Sequence, residues 1–134
     1  MAKTSYLVVE FLSAGGANCP EFGINTMNSK LSLDGQSMLQ AFASQLAWSS
    51  DDAVSILVER PLDVNERVQQ IAVGRGQFTQ SLIKAAESHD YVFLIAPELN
   101  RIAERCCRAL DEQTHKLISQ FGMDNVGIGQ TPYV

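Results

Sequence analysis

The stretch Ser5-Tyr-Leu-Val-Val-Glu-Phe-Leu12, followed at once by Ser13-Ala14-Gly15-Gly16, decides the fold. It is short, apolar and rich in residues that favour extended backbone. No polar residue interrupts it before Glu10, so it does not alternate as a strand with one wet face would. The pattern is that of a strand buried on both faces and ending in a glycine loop, which is how strands of parallel sheets read. Two more segments repeat it. Ala53–Glu59 (AVSILVE) is a second strand, stopped by Pro61. Tyr91–Ala96 (YVFLIA) is a third, the most apolar segment of the chain, followed by Pro97-Glu98.

Helical periodicity fills the intervals. Asp34 is read as the cap of a helix whose stripe is Met38, Leu39, Phe42, Ala43 and Leu46, ending near Trp48. Residues 17–30 are polar and lack a period, which predicts a long irregular loop. Asp63–Val73 reads as a short helix or a structured loop, interrupted by Gly74-Arg75-Gly76. Gln77–Ser88 is a helix with Phe78, Leu82, Ala85 and Ala86 inward. Leu99, Ile102, Ala103, Cys106 and Leu110 mark another helix face, continued weakly by Leu117, Ile118 and Phe121 up to Gly122. Asn125–Gly129 is read as a short fourth strand. The expectation is an α/β fold: one three-layer Rossmann-like domain over residues 1–134, with a mostly parallel sheet of about four strands. Ligands of such sheets bind beyond the carboxyl ends of the strands. Glu10–Gly16, Arg60–Asp63 and Ala96–Asn100 fall there.

Composition narrows the partners. Ten Lys and Arg stand against 15 Asp and Glu, a net charge of −5, which argues against nucleic acid as a partner. The apolar runs fall far short of the roughly 20 residues needed to span a bilayer, so no membrane partner is expected. The amino terminus has no signal-peptide core, which points to the cytoplasm. Three cysteines cannot pair completely, and Cys106 and Cys107 are adjacent in a helical pattern. They read as reduced thiols, two of them packing as small apolar residues. With His89 and His115 the only histidines, both read as surface residues, and with no C-x-x-C or H-x-x-x-H spacing, no metal site is expected.

Few residues carry chemistry. The loop Ser13-Ala14-Gly15-Gly16 offers backbone N–H groups to an anion, or is a structural turn. It is not a P-loop, since no G-x-x-x-x-G-K-[ST] occurs. Glu10 near the end of a buried strand must be paired, partly exposed or used. Glu98, after Pro97, stands at the matching end of the third strand. The two carboxylates suit an ammonium or amine, while Glu98 equally suits the first turn of its own helix. No Ser/His/Asp or Cys/His nucleophile arrangement is supported, so no catalytic residue is named. Arg101, Glu104, Arg105, Arg108, Asp111 and Glu112 form a solvated helical face.

Four segments in order resemble a known family. They are Val9-Glu10-Phe11-Leu12-Ser13-Ala14-Gly15-Gly16, Leu33-Asp34-Gly35-Gln36-Ser37-Met38-Leu39, Val92-Phe93-Leu94-Ile95-Ala96-Pro97-Glu98 and Val126-Gly127-Ile128-Gly129-Gln130-Thr131-Pro132. Together the chain resembles the amino-terminal, pre-ATP-grasp domain of ATP-grasp ligases, in the branch similar to the tyramine–glutamate ligase of methanofuran synthesis. It departs from that branch in having Asp34 for the usual Glu and Ala14 for the usual Gly. The resemblance implies the substrate side of a carboxylate–amine ligase, with Glu10, Ser13, Ala14, Gly15, Gly16, Pro97 and Glu98 as substrate-binding residues. It also implies no cofactor in this chain alone: ATP and Mg belong to an ATP-grasp domain further along the chain or on a partner chain. The other expected partner is a small amine or amino-acid substrate.

Two readings from other classes stand beside it. A non-catalytic subunit would dock on a partner protein, or on a second copy as a homo-oligomer, through apolar surface at Leu117, Ile118, Phe121 and Met123. A small flavodoxin-like or receiver-like α/β domain is the other; the receiver form is disfavoured, since Pro97-Glu98 follows the third strand where a receiver needs an Asp, and a bound flavin would show as yellow colour on purification.

Overall fold

A computed structural model describes residues 4–19, 29–49, 51–96, 102–113, 117–122 and 130–131. In chain order these form β1 (Ser5–Glu10), α1 (Ser29–Ser49), β2 (Ala53–Val58), β3 (Val68–Ala72), α2 (Phe78–Glu87), β4 (Tyr91–Ala96), α3 (Ile102–Gln113), β5 (Leu117–Gly122) and β6 (Gln130–Thr131). One sheet runs in the order β3-β2-β1-β4-β5-β6. β1 pairs in parallel with both β2 and β4, β2 with β3 and β4 with β5; only β6 is antiparallel. This is the doubly wound α/β arrangement expected from the strands apolar on both faces, with two more strands than the reading of about four.

Period-two alternation sorts the core into two layers. Leu7, Val9 and Phe11 face one way, with Leu57, Val92, Leu94 and Ala96, and meet Phe78 and Leu82 of α2 and Ile102 and Cys106 of α3. Val8 faces the other way, with Val54, Ile56, Val58 and Ile95, and meets Leu39, Ala43 and Ala47 of α1. Those three lie four residues apart, one stripe of a helix. The sheet is covered on both faces, which is why its strands carry so few polar residues. Among the described residues no helix is long and apolar enough to cross a membrane.

Four element readings are corrected. α1 begins at Ser29, so Asp34 lies inside the helix and does not cap it. Within Asp63–Val73, residues Val68–Ala72 form β3, an edge strand whose Gln69, Gln70 and Ala72 are exposed. An edge strand lacks the apolar run that marked the others. The segment from Leu117 to Gly122 is β5, not a continuation of α3. Its apolar spacing fits a helical turn as well as a strand, and pairing with β4 decides. His89 is buried rather than at the surface: its Nδ1 lies 2.7 Å from the carbonyl oxygen of Ala85, closing the end of α2. The proposed strand at 125–129, His115 and Met123 lie outside the described residues.

All three cysteines are free and buried. They pack as apolar side chains. Burial pushes the Cys106 thiol up to about 12.

Candidate functional site

The strand order reverses direction between β1 and β4, and there Glu10 ends β1. Its side chain is fully buried. By alternation it faces α1, as Val8 does, and Gly35 of α1 sits against it: an ideal Cβ on Gly35 would fall 2.6 Å from Glu10 Cδ. The carboxylate is held by the loop that follows. The Leu12 N–H donates to Oε2 at 2.8 Å. The Ser13 N–H donates to Oε1 at 2.9 Å, and the Ser13 hydroxyl to the same oxygen at 2.6 Å. Burial raises the Glu10 pKa, and the bonds from Ser13 and Leu12 oppose that rise only in part.

The rest of the loop is satisfied internally. The Ala14, Gly15 and Gly16 N–H groups donate to the carbonyls of Glu10, Leu12 and Phe11 at 3.0, 3.1 and 2.8 Å. Every N–H from Leu12 to Gly16 is thus bonded within residues 10–16. Ala14 is fully buried, Gly15 and Gly16 are buried, and Gly16 lies against the Phe11 ring. Of the alternatives the sequence leaves open, this geometry matches a structural turn for the loop and a paired carboxylate for Glu10. The Ser13–Gly16 amides are not free to cradle an anion, and the Glu10 carboxylate is not open to an amine. A buried carboxylate with loop donors within reach is satisfied by them first. Pro97 and Glu98 lie outside the described residues.

What the loop does present is a wall. A cleft of about 370 Å³ opens beyond the carboxyl ends of β1 and β2, lined by Ser13, Asn18, Gln36, Glu59, Arg60 and Arg75 among others. Its surface is mainly polar. Glu59 directly follows β2 and is turned towards the loop. The Asn18 amide donates to its Oε2 at 2.8 Å, and an ideal Cβ on Gly15 would lie 2.5 Å from its Cδ. Gly15 has φ +83, so only glycine takes this turn without strain. The Glu59 N–H donates to the Ser13 carbonyl at 2.9 Å, tying the loop to β2. A larger cavity of about 470 Å³ lies between α1 and β4 and is almost wholly apolar, lined by Met38, Phe42 and Ile95. It offers little to orient a polar substrate, so the smaller cleft is the candidate site.

Of the residues named from sequence, Ser13 lines the cleft, and Glu10, Ala14, Gly15 and Gly16 build the wall behind it. Arg60 falls in a segment already placed at the strand ends. Asn18, Gln36, Glu59 and Arg75 were missed. Arg75 carried one signal, its place in the Gly74-Arg75-Gly76 break between β3 and α2.

Among the described residues no group of three His, Cys, Asp or Glu side chains could hold a metal ion. The loop amides are bonded internally, and residues 10–18 contain no lysine. Comparisons with curated proteins and with solved structures found no match. The sequence model of the pre ATP-grasp 3 domain matches residues 52–120, from just before β2 into β5 and just over half of the chain. The doubly wound sheet and that match agree, and the chain belongs to the pre ATP-grasp 3 domain family.

Proposed function

We propose that this chain is the substrate-side domain of an ATP-grasp carboxylate–amine ligase, with ATP handled by protein outside these 134 residues. The observation that supports it most directly is a polar cleft beyond the strand ends in a member of the pre-ATP-grasp family. A ligase of this kind has to hold its acceptor still and away from water while the activated carboxylate is attacked. The chain's own residues suit that role, because the cleft has hydrogen-bonding groups on several elements, set on a sheet and an internally bonded loop. The four motifs quoted above carry the finer reading, an amine or amino-acid acceptor in the manner of the tyramine–glutamate branch.

Calorimetry with Mg·ATP tests the division of labour. The chain by itself is expected to give no binding heat, and micromolar affinity would overturn the proposal. An ATP-grasp domain encoded in the same or a neighbouring reading frame is the expected companion.

A further inference from the structure

We propose that the cleft beyond β1 and β2 binds a small carboxylate-bearing ligand, its carboxylate gripped by the guanidinium groups of Arg60 and Arg75. This deepens the acceptor-side reading and rests on it for the ligand's part in ligation, though not for the binding itself.

Charge placement carries the inference. The chain has five more acidic than basic residues, yet two of its arginines line one small cleft. Both are exposed, and neither has an ion-pair partner among the described residues. Among the described residues the lining holds one carboxylate, Glu59, whose Oε2 accepts a hydrogen bond from the Asn18 amide. Two guanidinium groups against one carboxylate leave the described lining with an excess positive charge. A guanidinium presents parallel N–H donors that match the two oxygens of a carboxylate, and it is more weakly hydrated than an ammonium, so it gives up water readily. The volume of about 370 Å³ is at the small end of ligand sites, which suits a molecule of amino-acid size. Ser13 adds selectivity. It lines the cleft, and because its hydroxyl donates to Glu10 its oxygen keeps lone pairs that can accept from an N–H or O–H elsewhere on the same ligand.

The test is a titration of the ¹⁵N-labelled chain with succinate and, separately, with inorganic phosphate, at constant ionic strength against chloride. Succinate is expected to shift the backbone amides of Ser13, Arg60 and Arg75 saturably. Arg60→Gln and Arg75→Gln should each weaken it roughly tenfold, the effect of removing one charge-assisted contact. Both arginines are exposed, so thermal unfolding of the variants should match the parent. Unsaturable shifts, or variants that bind as the parent does, overturn the clamp. Phosphate binding more tightly than succinate overturns the carboxylate assignment. Mg·ATP forms a separate arm. Succinate binding together with micromolar ATP binding leaves the clamp standing and removes the acceptor-side reading. Silence to both removes the clamp alone.

Discussion

The carboxylate of Glu10 lies directly beneath Gly35: a Cβ on that glycine would stand 2.6 Å from Glu10 Cδ and 2.6 Å from Oε2. The end of β1 and the second turn of α1 approach this closely because one side has no side chain. Glu10 cannot swing away, since its oxygens accept three hydrogen bonds from Leu12 and Ser13.

Gly35→Ala should therefore destabilise the domain. In an open helix the change would gain about 1 kcal/mol from helix propensity. Here overpacking against an anchored group should reverse the sign, for a net loss of about 1–3 kcal/mol. Urea denaturation measures it. In a Glu10→Ala background the same substitution should cost less, and an equal cost in both backgrounds would show that the two residues are not coupled.

Glu10 should also set a pH dependence. Its pKa in the folded protein is raised above the ordinary value of 4.5 by burial. Between the ordinary and the raised value the folded chain holds a proton that the unfolded chain has released. Stability is then fully present below the ordinary value and is lost as pH rises through the folded value. Glu10→Gln should flatten that fall. Denaturation midpoints across a pH series decide it, and parallel profiles for parent and variant would contradict the assignment.

Gly15→Ala should strain the loop twice. Left-handed backbone costs an L-residue about 1–2 kcal/mol, and the new methyl meets the Glu59 carboxylate. Glu59→Gln, which shortens nothing, should not relieve it; Glu59→Ala should recover the contact portion and leave the backbone portion. Thermal unfolding of the parent, of Gly15→Ala and of its two combinations with a Glu59 substitution separates the two contributions.

The cysteines should resist alkylation in the native protein. Cys19, Cys106 and Cys107 are at most 2% exposed. The Cys106 thiol, at about 12, holds almost no thiolate near neutral pH. Mass spectrometry after iodoacetamide in mildly alkaline buffer should show unmodified chain, with three additions only once denaturant is present. Rapid native labelling of Cys106 would contradict its burial.

The legible parts of the fold were those whose burial is complete. β1, β2 and β4 are apolar on both faces, and α2 has the sharp periodicity of a helix that packs on one side only. β3 hid because an edge strand has half its surroundings in water and tolerates Gln69 and Gln70. β5 hid because Leu117, Ile118 and Phe121 suit both the helical and the extended period over so short a segment. The site was legible as a location, since the carboxyl ends of strands can be placed once the strands are known. Its membership was not. Glu10 and the glycine loop stood out in the chain and proved to be the inner wall, while Asn18, Gln36, Glu59 and Arg75 gave almost no sign of converging.

Layering and strand direction were thus set by local pattern, because a strand with no polar face has to be covered on both sides, and helices between parallel strands do the covering. Which groups face the cleft and which are consumed in holding it depended on approach between segments far apart in the chain. Glu10 and Glu59 are both glutamates following a run of apolar residues. The first is enclosed because Gly35 lets a helix close over it, and the second borders the opening because the loop at Gly15 turns against it. That difference arises from distances between elements, which side-chain identity does not encode.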